Sequence, residues 1–103
     1  MTRDVSKKAP AAVLEQVPLR DGYSVTGDLF FGVLRRVEDI LPALLPEVAY
    51  TTEQLCGPDF WAQLQPGDPS RAGRCLAHLV DQGLMPLVEV PTRHEYPKRY
   101  RLK

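Results

Sequence analysis

The sequence has too little of several features to belong to some common classes of protein. Only two of its 103 residues are cysteines, Cys56 and Cys75, and two cysteines cannot build the framework of a disulfide-rich secreted domain. Neither positive nor negative charge predominates, because 13 Lys and Arg residues balance 13 Asp and Glu residues. A uniformly basic coat for nucleic acid is therefore excluded. We expect a protein of the reducing cytoplasm.

Long hydrophobic runs are also missing. The longest stretch without a charged residue is the eight residues 60–67, whereas a membrane-spanning helix needs roughly 18 or more apolar residues. The apolar stretch near the N-terminus is broken by Pro10 and Glu15, so it does not have the pattern of a signal peptide. We expect no membrane partner.

The zero net charge hides an uneven distribution along the chain. Residues 10–69 carry three basic and nine acidic residues, which gives −6, and residues 70–103 carry seven basic and three acidic residues, which gives +4. The remaining +2 lies in residues 1–9. A basic C-terminal third is typical of a local polyanion-binding face, and the alternative interpretation is a solvated tail.

Apolar periodicity predicts a first helix over about residues 29–41, with Asp28 as its N-cap. A second helix is expected to begin after Thr51 or Thr52 and to be interrupted at Gly57-Pro58. A further short helix is expected over residues 11–17, before Pro18.

A third helix is predicted from Asp68 and Pro69, a capping carboxylate followed by a proline at the first helical position. Gly83 is the expected stop signal. Its apolar stripe has helical spacing and consists of Ala72, Cys75, Leu76, Leu79 and Val80.

Short extended segments are expected between and after the helices, at residues 23–25, 48–50, 84–90 and 96–103. The last segment alternates, so Tyr100 and Leu102 are predicted to face the core. Its other face is strongly basic.

This order of elements resembles the winged helix-turn-helix family. The resemblance covers about residues 28–103, and it is carried by YTTEQL at 50–55, FW at 60–61, the helix over 69–83 and LMPL at 84–87. It implies an α+β, mainly helical fold, in which a three-helix core precedes a C-terminal β-hairpin, the wing. Residues 1–27 form an N-terminal extension, an arm and a short helix, outside that domain.

The resemblance also implies a function. The third helix of such a domain enters the major groove of double-stranded DNA, and the wing lies along the backbone. We therefore expect a small non-enzymatic DNA-binding protein that regulates transcription. The candidate DNA-binding residues are Ser70, Arg71, Arg74 and His78 on the helix and Arg93, His94, Lys98, Arg99 and Arg101 on the wing. The alternatives are an edge strand charged against aggregation, and a winged helix that binds protein instead of DNA.

Metal binding, cofactors and covalent catalysis are not expected. Cys75 and His78 have metal-compatible helical spacing, and Cys56 and His94 could complete a site, but the four are scattered and contain no CxxC pair. No nucleophile motif is present.

A homodimer through residues 1–45 is expected, because this region contains more apolar surface than one small core readily covers. The side chains concerned are Phe30, Phe31, Leu34, Leu44 and Leu45.

Overall fold

The computed structural model describes residues 16–19, 22–91 and 97–103, and it has an α+β fold. The helices are α1 (Gly27–Ile40), α2 (Thr52–Cys56), α3 (Pro58–Ala62) and α4 (Asp68–Asp81), with a 3-10 turn at Leu41–Ala43. The strands are β1 (Gln16–Pro18), β2 (Ser24–Thr26), β3 (Tyr50–Thr51), β4 (Leu87–Val90) and β5 (Arg99–Leu102).

Strands β1 and β2 form an antiparallel pair in which Val17 lies opposite Val25. The short helix predicted over residues 11–17 is therefore wrong at residues 16 and 17, and its residues 11–15 lie outside the described part of the chain. Pairing with β2 satisfies backbone groups that a single helical turn leaves unpaired. Leu19 and Val25 are buried in the same core as the helices, which attaches this pair of strands to α1.

Helix α1 begins two residues earlier than the periodicity predicts. Its N-cap is Thr26 rather than Asp28, and the Leu29 amide donates to Thr26 Oγ1 at 3.3 Å. Asp28 lies in the first turn, where its negative charge interacts favourably with the helix dipole. The apolar face is buried as expected, with Val33 and Val37 fully inaccessible.

The break at Gly57 separates α2 from α3. Thr51 caps α2 in a reciprocal capping box, in which Gln54 N donates to Thr51 Oγ1 at 3.2 Å and Thr51 N donates to Gln54 Oε1 at 2.8 Å. Gly57 has φ 95°, a backbone conformation that disfavours residues with a Cβ. Pro58 then begins α3.

Helix α4 is capped by Gly67, with φ 89°, rather than by Asp68 as predicted. The Asp68 carboxylate instead accepts from the Gln65 amide at 3.2 Å. At the other end Gly83 N donates to the Val80 carbonyl at 3.1 Å and Leu84 N to the Leu79 carbonyl at 2.9 Å. This is a Schellman motif, so Gly83 ends the helix as its sequence position predicts.

The predicted apolar stripe of α4 is confirmed for its first four members and in part for Val80, which is half-buried. Ala72, Cys75, Leu76 and Leu79 are fully inaccessible. Ala77, which the periodicity places on the exposed face, is also buried.

The second sheet has the order β3-β5-β4, and both pairings are antiparallel. The central strand β5 pairs through Tyr100 with Tyr50 on one side and Glu89 on the other. Tyr100 is buried and Leu102 is partly buried against the core, which confirms the predicted alternation. Arg99 and Arg101 consequently lie on the outer face of the sheet.

Among the side chains named for the homodimer, the exposed apolar surface is smaller than expected. Phe30 and Leu44 are core residues of a single chain, and Leu34 is partly buried against them. Phe31 and Leu45 remain exposed, by 55% and 61%. The homodimer therefore stays a prediction, and only Phe31 and Leu45 of the five side chains named for it are exposed to a partner.

Arg36 connects α1 to the break between α2 and α3. Its Nε donates to the Cys56 carbonyl at 3.0 Å, and its Nη2 lies 3.4 Å from Asp59 Oδ2. The guanidinium also lies 5.8 Å from the centre of the Phe60 ring. Since Cys56 ends a helix, this bond satisfies a carbonyl that has no partner within α2.

We therefore expect Arg36→Met to lower the free energy of unfolding by about 1–2 kcal/mol, mainly through the lost bond to the Cys56 carbonyl. The exposed ion pair with Asp59 contributes little. Urea denaturation followed by circular dichroism measures the change. Arg35→Met, at the exposed neighbouring position, is the matched control, and equal midpoints for the two variants would contradict the role of Arg36.

Candidate functional site

A concave groove of about 420 Å³ lies between α4, β5 and the first turn of α2; we call it the α4–β5 groove. Its lining comes from four parts of the chain. The lining residues are Thr51, Thr52, Glu53, Trp61, Pro69, Ser70, Gly73, Arg74, Ala77, Pro97, Lys98 and Tyr100.

Helical periodicity brings one face of α4 to this groove. Ser70, Gly73, Arg74 and Ala77 follow one another at three- and four-residue spacing, so they form a single stripe. Gly73 has nothing within 4 Å of where a Cβ would lie. The floor of the groove is therefore low at this position.

Strand alternation brings Lys98 to the same groove. Lys98 and Tyr100 are two residues apart, so both point to the helical side of the sheet. Among the described residues, no carboxylate forms an ion pair with Lys98. Three charged side chains line the groove, Glu53, Arg74 and Lys98, which gives a formal charge of +1.

Arg74 is half-buried, and Tyr23 fixes its position. The guanidinium carbon lies 3.7 Å from the centre of the Tyr23 ring, a close cation–π stack. Tyr23 immediately precedes β2. The N-terminal pair of strands therefore positions a charged side chain of the groove, a contact for which the sequence has no local signal.

Arg71 lies outside the groove lining. Its Nη1 donates to Asp68 Oδ1 at 2.9 Å, and its guanidinium lies over Gly67, where a Cβ would approach Nη1 to 3.2 Å. Part of its charge is therefore neutralised by its own helix.

The remaining candidates do not converge on the groove. Arg99 lies on the outer face of the sheet, opposite Thr51 and Val90. Arg101 lies on the same face, and its Nη1 donates to the Leu102 carbonyl at 3.0 Å. The His78 ring makes an edge contact with Phe30, at 6.2 Å between centres.

The structure therefore brings together Ser70, Arg74 and Lys98 from the predicted set. Arg93 and His94 lie outside the described residues.

Several lining residues were not predicted as functional. Trp61 is half-buried against the core, and it also lines the groove. Thr51 was predicted only as a helix cap. Thr52 and Glu53 follow it in the first turn of α2, and only the pairing of β3 with β5 brings them beside Lys98.

The two cysteines are free thiols in the core. Burial raises the pKa of Cys56 to about 12, although the nearby Arg36 charge opposes the shift. Burial also raises the pKa of Cys75 to about 12, and Cys56 and Asp68 add to it. In residues 16–19, 22–91 and 97–103, no cluster of three or more His, Cys, Asp or Glu side chains has the arrangement of a metal site.

Comparison of the chain with protein-family models, curated proteins and solved structures finds no match. Within the described ranges, none of the helices has the length and apolar character needed to cross a membrane.

We expect both thiols to resist Ellman's reagent in the folded protein. With a pKa of about 12, on the order of one thiol in ten thousand is ionised at about pH 8. Denaturation in urea should release two reactive thiols per chain, and the absorbance of the chromophore that the reagent releases counts them.

The same shifts should make stability depend on pH. The folded state keeps thiol protons that the unfolded chain loses above the ordinary pKa of 9.0, so stability should fall as the pH rises from about 9 towards 12. In the experiment with Ellman's reagent, a thiol that reacts fast in the folded protein would contradict the burial of these side chains.

Proposed function

We propose that this chain is a winged-helix DNA-binding protein that regulates transcription. In this proposal α4 enters the major groove of double-stranded DNA, and the hairpin of β4 and β5 is the wing that lies along the backbone. The order of elements supports it, since α1, the pair α2 and α3, and α4 are followed directly by an antiparallel hairpin. That is the arrangement which the family resemblance implies.

The observation that carries the proposal is the convergence of Ser70, Arg74 and Lys98 on one groove. Arginine bonds guanine or phosphate with two parallel N–H groups, lysine binds phosphate as a point charge, and serine bonds either. A helix and a neighbouring hairpin that present these three groups together provide both a reading surface and a contact to the backbone.

The basic residues of the other faces have a secondary role in the proposal. Arg71 is paired with Asp68, so its removal changes the local charge less than the removal of an unneutralised cation. Arg99 and Arg101 lie on the outer face of the wing, from which they would reach only flanking phosphates.

A protein-interaction module without DNA binding is the second candidate, and one observation favours it. Phe31 is 55% exposed on α1, and it borders a shallow surface together with Gly32, Arg35 and Phe60. Aromatic residues are enriched in protein–protein interfaces, so this surface is where a partner would bind in that case. The predicted homodimer through residues 1–45 would use the same side chain.

We expect the protein to bind a duplex of random sequence at about 50 mM salt, with an affinity that falls as salt rises. Lys98→Ala should reduce the slope of log K against log salt by about 0.9, the value for one lost phosphate contact. Arg74→Ala should weaken binding more than Arg71→Ala, because Arg74 lines the α4–β5 groove and Arg71 does not. Fluorescence anisotropy of a labelled duplex measures all three.

Arg35→Ala is the matched control, because it removes one positive charge from an exposed site that does not line the α4–β5 groove. It should leave the slope unchanged. Wild-type protein without salt-dependent affinity for the duplex would overturn the proposal in favour of the interaction module.

A further inference from the structure

We infer that the α4–β5 groove holds one nucleotide of a single DNA strand, with the base against Trp61 and the phosphate between Arg74 and Lys98. The assignment rests on the proposed function, because it names the part of a nucleic acid that occupies the same groove. It also makes a separate claim, which is that DNA binds this groove when it is single-stranded.

The shape of the site is the first argument. The stripe of α4 in this groove contains Gly73 and Ala77, which leave the floor low. The resulting space of about 420 Å³ lies within the range of small-molecule sites, roughly 300–1,000 Å³. A concave site of this size has room for one nucleotide that projects from a strand.

The position of Trp61 is the second argument. Its side chain packs against the core and also lines the groove, so the ring is held in place and keeps part of its surface accessible. Such a ring is a platform for base stacking, which tolerates any base because every base has a π-face. Bases in an intact duplex reach a platform of this kind only after unpairing and unstacking, whereas those of a single strand are already accessible.

The charges are the third argument. Arg74 lines the groove from α4, and Lys98 lines it from the residue immediately before β5, so the two cations come from different elements. With Glu53 the lining carries a formal +1, which matches the single negative charge of one phosphodiester. A nucleoside triphosphate carries several more negative charges and would repel Glu53.

Hydroxyl groups complete the set. Ser70, Thr51 and Thr52 line the same space, and a hydroxyl both donates and accepts hydrogen bonds. These groups can therefore bond the sugar oxygens, the phosphate or a base edge without selecting one base.

The test uses the intrinsic fluorescence of Trp61, the only tryptophan in the chain. Wild-type protein is titrated with oligothymidine of about ten nucleotides, thymidine monophosphate, inorganic phosphate and a duplex of equal length. Anisotropy of the end-labelled oligothymidine is measured in parallel. We expect saturable quenching by oligothymidine at a lower concentration than by the monophosphate, and none by phosphate alone.

Two variants separate stacking from charge. Trp61→Leu should weaken binding of the labelled strand by roughly 5- to 150-fold, the range for one lost base stack, whereas Trp61→Phe keeps a ring and should lose less. Lys98→Ala should reduce the salt slope for the single strand by about 0.7. Phe31→Leu, which alters an exposed aromatic residue outside the groove, is the control and should have no effect.

Each other outcome overturns the inference in a distinct way. Tighter binding of the monophosphate than of the strand would assign the groove to a free nucleotide. Equal quenching by inorganic phosphate alone would show that the base does not contribute to binding. Binding of the duplex but not of the strand would refute the inference and leave the proposed function standing. Failure of both nucleic acids to bind would refute both.

Discussion

The packing of α4 against α1 is the interaction on which the rest of the structure depends. The stripe of α4 and its counterpart on α1 are completely inaccessible at their centres, at Leu76 and Leu79 on one side and Val33 and Val37 on the other. Each such side chain contributes about 1.5–3 kcal/mol when it is removed from water. Burial of this stripe fixes the rotation of α4, and therefore fixes which side chains face β5.

Three further features of the fold then shape the groove. Gly67 and Gly83 set where α4 begins and ends. The pairing of β5 with both of its neighbours places Lys98 and Tyr100 beside the helix. The ring of Tyr23 stacks on the guanidinium of Arg74, which lines the groove. The N-terminal strands, which lie outside the resemblance to a winged helix, thus contribute directly to the candidate site.

Patterns that repeat along one element were predictable from the sequence. The buried stripe of α4, its stop at Gly83 and the alternation around Tyr100 depend on periodicity or on one glycine, so they can be recognised without a fold. Contacts between distant elements were not predictable, and the bond from Arg36 to the Cys56 carbonyl and the stack of Arg74 on Tyr23 are examples. The N-caps of α1 and α4 were misplaced by two residues and one residue, because neighbouring residues such as Thr26 and Asp28 compete for the same role, whereas Thr51, one of the two caps predicted for α2, is confirmed.

Amide chemical-shift mapping tests the central claim most directly, because it locates nucleic acid on the surface without changing the protein. In ¹⁵N-labelled protein titrated with DNA, we predict that the shifts cluster on Ser70, Gly73, Arg74, Lys98 and Tyr100, which line the α4–β5 groove. Residues around Phe31 on α1 should remain unperturbed. Shifts confined to that α1 surface, or no shifts at low salt, would contradict the assignment of the groove as a nucleic-acid site.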